Sequence, residues 1–150
     1  MSVNIKLLPL ALVFSFLLIV SPPAYSRQSF GDYEGAVYVR NYDGDTITFN
    51  LPTLHPIIGK NISIRVNGID TPEIRGKCEK ETYNAEQARD MVSEILKDAG
   101  QIALKNLKRG KYFRLVADVY VDEENLGDML IEAGVAIPYS GRKKTKNWCE

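Results

Sequence analysis

The sequence is short of histidine and cysteine and carries no excess of either charge. Its 150 residues include one histidine and two cysteines, and 19 Lys and Arg are balanced by 19 Asp and Glu. Two thiols and the single distant histidine, His55, lack the ligand spacing of a zinc site. The even charge balance argues against binding along a nucleic-acid backbone through overall charge. Any phosphate-binding role therefore has to rest on local charge.

The N-terminal apolar run is too short to span a membrane. Residues 7–20 cover 14 positions and include Pro9, whereas a spanning helix needs about 20 apolar residues. Ala24 and Ser26 supply small residues at the two positions that a signal peptidase reads. We therefore expect residues 1–26 to be a signal peptide, and the protein to be exported, either to the periplasm or into the medium. No stable membrane association is expected after cleavage.

The remaining residues, 27–150, leave room for one ordinary domain. Removal of the signal peptide takes away Lys6 and no acidic residue, which leaves 18 Lys and Arg against 19 Asp and Glu. In an exported protein a lone cysteine pair is most simply a disulfide, so we expect Cys78 to be joined to Cys149 rather than to be a reactive thiol. Such a bridge closes a loop of about 70 residues, worth about 4 kcal/mol in the chain-entropy model.

Hydrophobic periodicity predicts five strands and two helices. The strands are predicted at residues 35–42, 46–51, 62–67, 102–104 and 114–121, and the helices at 82–99 and 126–133. Between them we expect a two-residue hairpin at Asp43-Gly44, a loop over 52–60, a basic turn over 105–111, a polar turn over 122–125 and a solvated basic tail over 141–150. Five short strands with a helix between the third and fourth indicate an α+β, mainly β, Greek-key barrel of the oligonucleotide/oligosaccharide-binding (OB) type.

The stretch around which the chain is organised is residues 64–73. Gly68 interrupts a clean strand alternation and suggests a β-bulge, which would bring Arg65 and Asp70 onto one face with Glu73 close behind. The alternative is a helix start, with Asp70 as the N-cap and Glu73 completing a capping box. These residues alone leave both interpretations open.

Taken together, the motifs resemble the thermonuclease family, the staphylococcal-nuclease-like domains, over about residues 37–139. The motifs that carry the resemblance are Asp43-Gly44-Asp45-Thr46, Arg65 with Asp70-Thr71-Pro72-Glu73, Lys111-Tyr112-Phe113-Arg114, and the helical segment 125–136. Each is weak alone, but three in register across one domain are specific. The resemblance implies a five-stranded OB-fold Greek-key barrel with two to three helices, and Ca²⁺-dependent hydrolysis of phosphodiester bonds in DNA and RNA.

The resemblance also implies a calcium site. Asp45 and Asp70 match the carboxylate ligands, and the backbone carbonyl of Thr71 matches a further ligand. Ca²⁺ is a hard cation that takes about 6–8 oxygen ligands, so carboxylates, a carbonyl, waters and a phosphate oxygen suit it. With Asp45 placed by a separate motif, the site interpretation of the 64–73 stretch leads over the helix cap.

The remaining matching residues are implied to act on the substrate. Glu73 matches the residue that orients or deprotonates the attacking water, and Arg65 and Arg114 match the pair that grips the scissile phosphate. Planar guanidinium groups meet the charge that develops on phosphoryl oxygens better than a lysine does. Lys111 and Tyr112 match substrate-binding positions.

Two residues depart from the family pattern, which usually has glycine where this chain has Phe113 and Leu115. We expect Phe113 to cap the barrel rather than to stack on a base. A larger side chain at either position also changes how Arg114 approaches the phosphate.

The leading functional expectation is an exported, monomeric calcium-dependent nuclease of low sequence specificity, which prefers single-stranded or denatured DNA and RNA. The alternative is a catalytically inactive OB-fold module that binds single-stranded nucleic acid or a protein partner. Carboxylates of the kind that bind a metal, placed beside the two arginines that match the phosphate-binding pair, argue against a pure binding module, because without a metal they repel a nucleic acid.

Overall fold

The computed structural model describes residues 28–150. The predicted signal peptide lies outside this range and stays a prediction. The described chain forms, in order, β1 (Tyr33–Glu34), β2 (Val37–Asn41), β3 (Thr46–Asn50), α1 (Pro56–Gly59), β4 (Ile62–Val66), β5 (Ile69–Asp70), α2 (Glu79–Asp98), β6 (Ile102–Arg109), a short turn of 3-10 helix (Lys111–Phe113), β7 (Leu115–Val121), β8 (Glu124–Asn125), α3 (Leu126–Glu132) and β9 (Ile137–Pro138).

The main sheet curls into a barrel because its two edge strands are consecutive pieces of chain. Its strand order is β1-β6-β7-β4-β3-β2, with β8 paired to β7. Only Gly35 and Ala36 separate β1 from β2, and Gly35 has a φ of +73° that bends the chain between them. Counted as one bent strand, β1 and β2 complete the predicted five-stranded OB barrel. The polar residues before position 35, among which no strand was predicted, supply β1.

The predicted apolar stripes form one core. Ile47, Phe49 and Leu51 of the second predicted strand are all buried, with exposures of 0%, 0% and 4%. The core also includes Val92 and Leu96 from α2 and Leu126 and Leu130 from α3. Both predicted helices are therefore confirmed as core helices, although Ala133, the last residue of the second predicted helix, lies beyond the end of α3 and is exposed. No helix within residues 28–150 has the length and apolar content to cross a membrane.

Strand β6 is longer than its apolar residues suggested. It continues to Arg109 and so includes most of the segment 105–111, which the sequence predicted to be a turn. Asn106 has a φ of +53°, and the pairing with β7 shifts register between Lys105 and Lys108. This irregularity of β-bulge type absorbs the polar residues without ending the strand. Arg114, predicted to open the fifth strand, lies just before β7.

Two predicted loops contain short regular elements. The segment 52–60 includes α1, for which His55 is the N-cap, because its Nδ1 accepts a hydrogen bond from the Ile57 amide at 3.3 Å. The polar turn predicted over 122–125 is a tight reversal at Asp122 and Glu123, both with positive φ, that leads into β8.

Gly68 makes a turn rather than a bulge. With a φ of +80°, it joins β4 to the short strand β5, which pairs with β9. The next helix of the described chain begins only at Glu79, so the interpretation of Asp70 as a helix N-cap is wrong. The turn nevertheless achieves what the bulge was expected to do, because it returns Asp70 towards Arg65.

The expected disulfide joins Cys78 to Cys149, which are 71 positions apart in sequence. Cys78 is also the N-cap of α2, and its sulphur accepts a hydrogen bond from the Glu81 amide at 3.4 Å. Glu81 lies beside both sulphurs, but the three side chains are no metal site because the disulfide uses both thiolates. The bridge fixes the end of the chain to the start of α2.

The connection between β2 and β3 spans residues 42–45 and is longer than the predicted two-residue hairpin. Asp43 stabilises it by accepting a hydrogen bond from the Asp45 amide at 3.1 Å. Gly44 lies against another segment of the chain: an added Cβ would be 2.8 Å from the Thr71 Cγ2 and 3.0 Å from the Ala88 Cβ. Glycine therefore lets this loop approach the segment that carries Asp70.

Replacement of Gly44 by alanine tests this close approach. Because the clashing atoms are buried side chains with little room to move, we expect Gly44→Ala to lower the free energy of unfolding by about 1–3 kcal/mol. Urea denaturation of the oxidised protein measures the change. Gly134→Ala is a poor control because its φ is positive, whereas Glu94→Ala changes an exposed side chain of α2 and should alter the stability by no more than about 0.5 kcal/mol. A Gly44→Ala protein as stable as wild type would contradict the packing argument.

Candidate active site

Arg65 brings together two acidic residues from separate parts of the chain. Antiparallel pairing of β3 with β4 sets Thr46 opposite Arg65, which brings the neighbouring Asp45 within reach of the guanidinium. The Arg65 Nη1 donates to the Asp45 Oδ1. The Nη2 is 3.5 Å from the Asp70 Oδ1 and 3.3 Å from the Ile69 carbonyl. Three of the predicted site residues therefore form one charged cluster.

Asp45 is almost completely buried, with 1% exposure. Its Oδ1 accepts from the Thr46 hydroxyl at 3.1 Å and its Oδ2 from the Thr71 amide at 3.2 Å. Burial, and secondarily the charge of Asp43, raise the pKa of Asp45 to about 7, against the lowering effects of Arg65 and of these hydrogen bonds. A negative charge at this position is therefore costly unless further cations are near.

The neighbouring Asp70 and Thr71 have polar atoms without partners. The Oδ2 of Asp70 and the Oγ1 of Thr71 are buried, and neither has a hydrogen-bond partner in the described chain. Buried oxygen atoms in this state are unusual, since most buried polar groups are paired. Together with Asp45 they make an oxygen-only donor set, which suits a hard cation such as Ca²⁺ better than a metal that prefers nitrogen or sulphur. The residues present therefore fit the implied metal.

Glu73 lies at the edge of this cluster and is half-exposed. Its Oε1 is 2.5 Å from the Nζ of Lys144, and the same Nζ lies 2.8 Å from the Oδ1 of Asp70. Although burial acts to lower it, the hydrogen bonds and charges of Asp70 and Glu73 raise the pKa of Lys144 above its ordinary value. Lys144 belongs to the tail that the sequence predicted to be solvated, and its side chain is indeed 43% exposed, but the sequence did not predict its contact with Asp70 and Glu73.

A cavity of about 580 Å³ connects this cluster to the remaining predicted residues. Arg65, Glu73 and Lys144 line one part of it, and the loop 110–114 lines another. The predicted site residues in its wall are Arg65, Glu73, Lys111, Tyr112 and Arg114. Arg114 is exposed and forms none of the salt bridges found within residues 28–150. Its side chain is therefore available to an anion in the cavity.

The tip of the 110–114 loop carries two exposed aromatic residues. Tyr112 is 93% exposed and Phe113 83% exposed, so the prediction that Phe113 caps the barrel is wrong. Both have a left-handed backbone, with φ values of 57° and 59°, which is uncommon for bulky residues. The tip is held by Arg109, whose Nη1 donates to the Phe113 carbonyl at 2.7 Å while the guanidinium lies 5.0 Å from the ring centroid.

Comparison with protein families identifies the class of domain. Residues 63–148 match the family model described as staphylococcal nuclease homologue. Because the match covers more than half of the chain, the protein belongs to this family. It is therefore a nuclease-like or nucleic-acid-binding domain with an OB-like fold. A comparison with curated proteins gives no match.

The matched region begins inside β4 and contains most of the site. Arg65, Asp70, Glu73 and Arg114 lie within it, as does Lys144, whereas Asp45 precedes it. The contact between Asp45 and Arg65 therefore comes from the folded structure and not from the family match.

Removal of Arg65 leaves two buried carboxylates without their shared cation. We expect Arg65→Ala to lower the free energy of unfolding by about 3–5 kcal/mol in the presence of a chelator, because breaking a buried ion pair leaves uncompensated charge. Arg89→Ala is the matched control: Arg89 pairs with Asp90 at 2.9 Å on the surface, and such pairs contribute about 0–1 kcal/mol. Urea denaturation measures both. Equal losses in the two variants would contradict the role given to Arg65.

Proposed function

We propose that this protein is an exported calcium-dependent nuclease that hydrolyses phosphodiester bonds of DNA and RNA with low sequence specificity. Family membership supports a nuclease-like function, and the calcium dependence, the activity and the export are our inference. The observation that carries the proposal is the buried, unpartnered Oδ2 of Asp70 beside the Arg65 guanidinium, at a cavity that Arg114 also lines. Arg65, which pairs with both of the aspartates proposed to hold calcium, and Arg114 then face one space.

Asp45, Asp70 and Thr71 are the residues that would hold the calcium ion. When bound, calcium would polarise a phosphoryl oxygen and help to neutralise charge that develops during hydrolysis. The chain contributes rigid ligands, because Asp45 and Asp70 are 1% exposed and tied to Arg65. Preorganised ligands of this kind do not have to be ordered when the metal and substrate bind.

The other charged residues act on the phosphate and on water. Arg65 and Arg114 both line the cavity, and two guanidinium groups suit the spread of negative charge over the phosphoryl oxygens. Glu73, at the edge of the acidic cluster and half-exposed, is in a position that solvent reaches. We assign it the task of holding the attacking water by accepting its proton in a hydrogen bond.

The rest of the assignment concerns substrate and location. Lys111 and Tyr112 line the cavity and are assigned to substrate binding, with single-stranded or denatured DNA and RNA preferred because exposed aromatic rings stack on unpaired bases. We expect a monomer, exported through the signal peptide at residues 1–26 to the periplasm or the medium.

A second candidate, a binding module without catalysis, is favoured by the position of Lys144. Its amine is bonded to both Asp70 and Glu73, so the carboxylates are partly neutralised without a metal. The repulsion of a nucleic acid by these acids, which argues against a pure binding module, is thereby weakened. Cleavage assays separate the two functions.

The nuclease proposal predicts calcium-dependent cleavage of denatured DNA by the purified, oxidised protein. Glu73→Ala is expected to lower the rate by about 100- to 10,000-fold, the usual range for a residue that assists proton transfer, and a chelator should abolish cleavage. Glu94→Ala, which removes an exposed carboxylate from α2, should cleave like wild type. Absence of cleavage by the folded wild-type protein would overturn the enzyme assignment and leave the binding module.

The exposed aromatic tip predicts a contribution of Phe113 to binding of single strands. In the Glu73→Ala background, which prevents cleavage, we expect Phe113→Ala to weaken binding of a short single-stranded DNA by about 1–3 kcal/mol, the usual effect of losing one base-stacking ring. Tyr83→Ala is the control, because Tyr83 is also an exposed aromatic residue, at 61%, but lies on α2 and not on the 110–114 loop. Fluorescence anisotropy measures both affinities. An unchanged affinity in Phe113→Ala would rule out stacking on this ring.

A further inference from the structure

The C-terminal residues 141–150, here called the C-terminal strap, cross the candidate metal site. β9 first runs antiparallel to β5, and the Tyr139 amide donates to the Gly68 carbonyl at 2.7 Å. Gly141, with a φ of +80°, lies where the chain reverses. The following residues return past Asp70 and Glu73 towards α2. The strap therefore passes over the acidic cluster instead of extending into solvent.

Both ends of the strap are fixed. At its start, the Tyr139 hydroxyl donates to the Arg142 carbonyl at 2.6 Å. At its end, Cys149 is joined to Cys78, and the carbonyl oxygen of Glu150 accepts from the Lys80 amine. Lys144 lies between these anchors, and a tethered group faces a high effective concentration of its target. The two anchors therefore keep its amine close to the carboxylates.

We propose that Lys144 is a built-in counter-cation of the candidate metal site, and that calcium has to displace its amine from Asp70 in order to bind. The inference rests on the proposed calcium site at Asp45 and Asp70. The Lys144 amine is 2.8 Å from the Asp70 Oδ1, so it uses an oxygen of a carboxylate assigned to the metal. A divalent ion on the same carboxylate would face a like charge at close range, and the two cations exclude one another.

The remaining contacts of the amine support displacement rather than a shared site. Asp70 is 1% exposed, whereas the side chain of Lys144 is 43% exposed and that of Glu73 45% exposed. Lys144 can therefore leave towards solvent without opening the core. Arg65 has no such route, because its side chain is only 18% exposed and bonded to both aspartates. Of the two cationic side chains that contact Asp70, Lys144 is therefore the one that calcium displaces.

Displacement lowers the apparent affinity for calcium. If the amine occupies Asp70 in nine molecules of ten, only about one in ten is competent to bind, and the apparent dissociation constant rises about tenfold. Lys144 then sets the calcium concentration at which the site fills. A surface lysine that does not compete with calcium would leave the calcium concentration needed to fill the site unchanged.

Isothermal titration of calcium into the oxidised protein tests the inference without using activity. We expect Lys144→Ala to bind calcium about tenfold more tightly than wild type, by the population argument above. Lys143→Ala removes the same charge from the adjacent exposed residue and should change the dissociation constant less than twofold. Asp70→Asn should abolish binding and so identify the site.

The outcomes separate this inference from the proposed function. Calcium affinity that is equal or weaker in Lys144→Ala, with binding by wild type lost in Asp70→Asn, overturns the counter-cation role and leaves the calcium site intact. Absence of calcium binding in wild type and in Lys144→Ala overturns both. A tenfold gain that Lys143→Ala reproduces would be an effect of general charge and would also overturn the inference.

Thermal unfolding supplies a second readout. Without calcium, Lys144→Ala should melt at a lower temperature than wild type, because Asp70 and Glu73 lose a cation. Both proteins are then measured at the same saturating calcium concentration. Calcium should raise the melting temperature of Lys144→Ala more than that of wild type, since tighter binding stabilises the folded state more. A lower melting temperature with an unchanged calcium-induced rise would mark Lys144 as a structural salt bridge only, against the inference.

Discussion

The contact on which the site depends is the Arg65 guanidinium shared between Asp45 and Asp70. These aspartates come from a loop after β2 and from the short strand β5, and both are 1% exposed. Buried carboxylates are tolerated only when they are paired, and here one planar guanidinium group pairs with both of them. The register between β3 and β4, the turn at Gly68 and the close approach of Gly44 to Thr71 all serve to bring these three side chains together.

One arginine does not balance the acids gathered here, and the imbalance explains the rest of the site. Asp43, Asp45 and Asp70 are buried and Glu73 lies beside them, while burial and Asp43 raise the pKa of Asp45. The protein supplies Lys144 as a second, removable cation from the C-terminal strap. A site that can exchange an amine for a metal remains folded in both states, which an unpaired acidic cluster would not guarantee.

The sequence predicted the barrel, its two core helices and the grouping of Arg65 with Asp70, because these follow from local periodicity and from one glycine. It did not predict the reach of β6, whose polar residues are accommodated by an irregular register at Asn106. Nor did it predict the contact of Lys144 with Asp70 and Glu73, because only the tertiary structure brings residues so far apart in sequence together. One signal was available: Glu73 and Lys144 each lie five residues before a cysteine of the expected disulfide.

Two parts of the cavity lining differ in how they are held and exposed, and the difference suits the work proposed for each. The acidic wall is fixed by buried ion pairs, by β5–β9 pairing and by the disulfide. The other part is the 110–114 loop, whose aromatic residues are exposed and adopt a left-handed backbone. Chemistry requires groups held in place, whereas low sequence specificity requires a surface that accepts different bases. In the proposed function, Phe113, a departure from the family pattern, therefore belongs with substrate recognition rather than with the residues that would hold the metal.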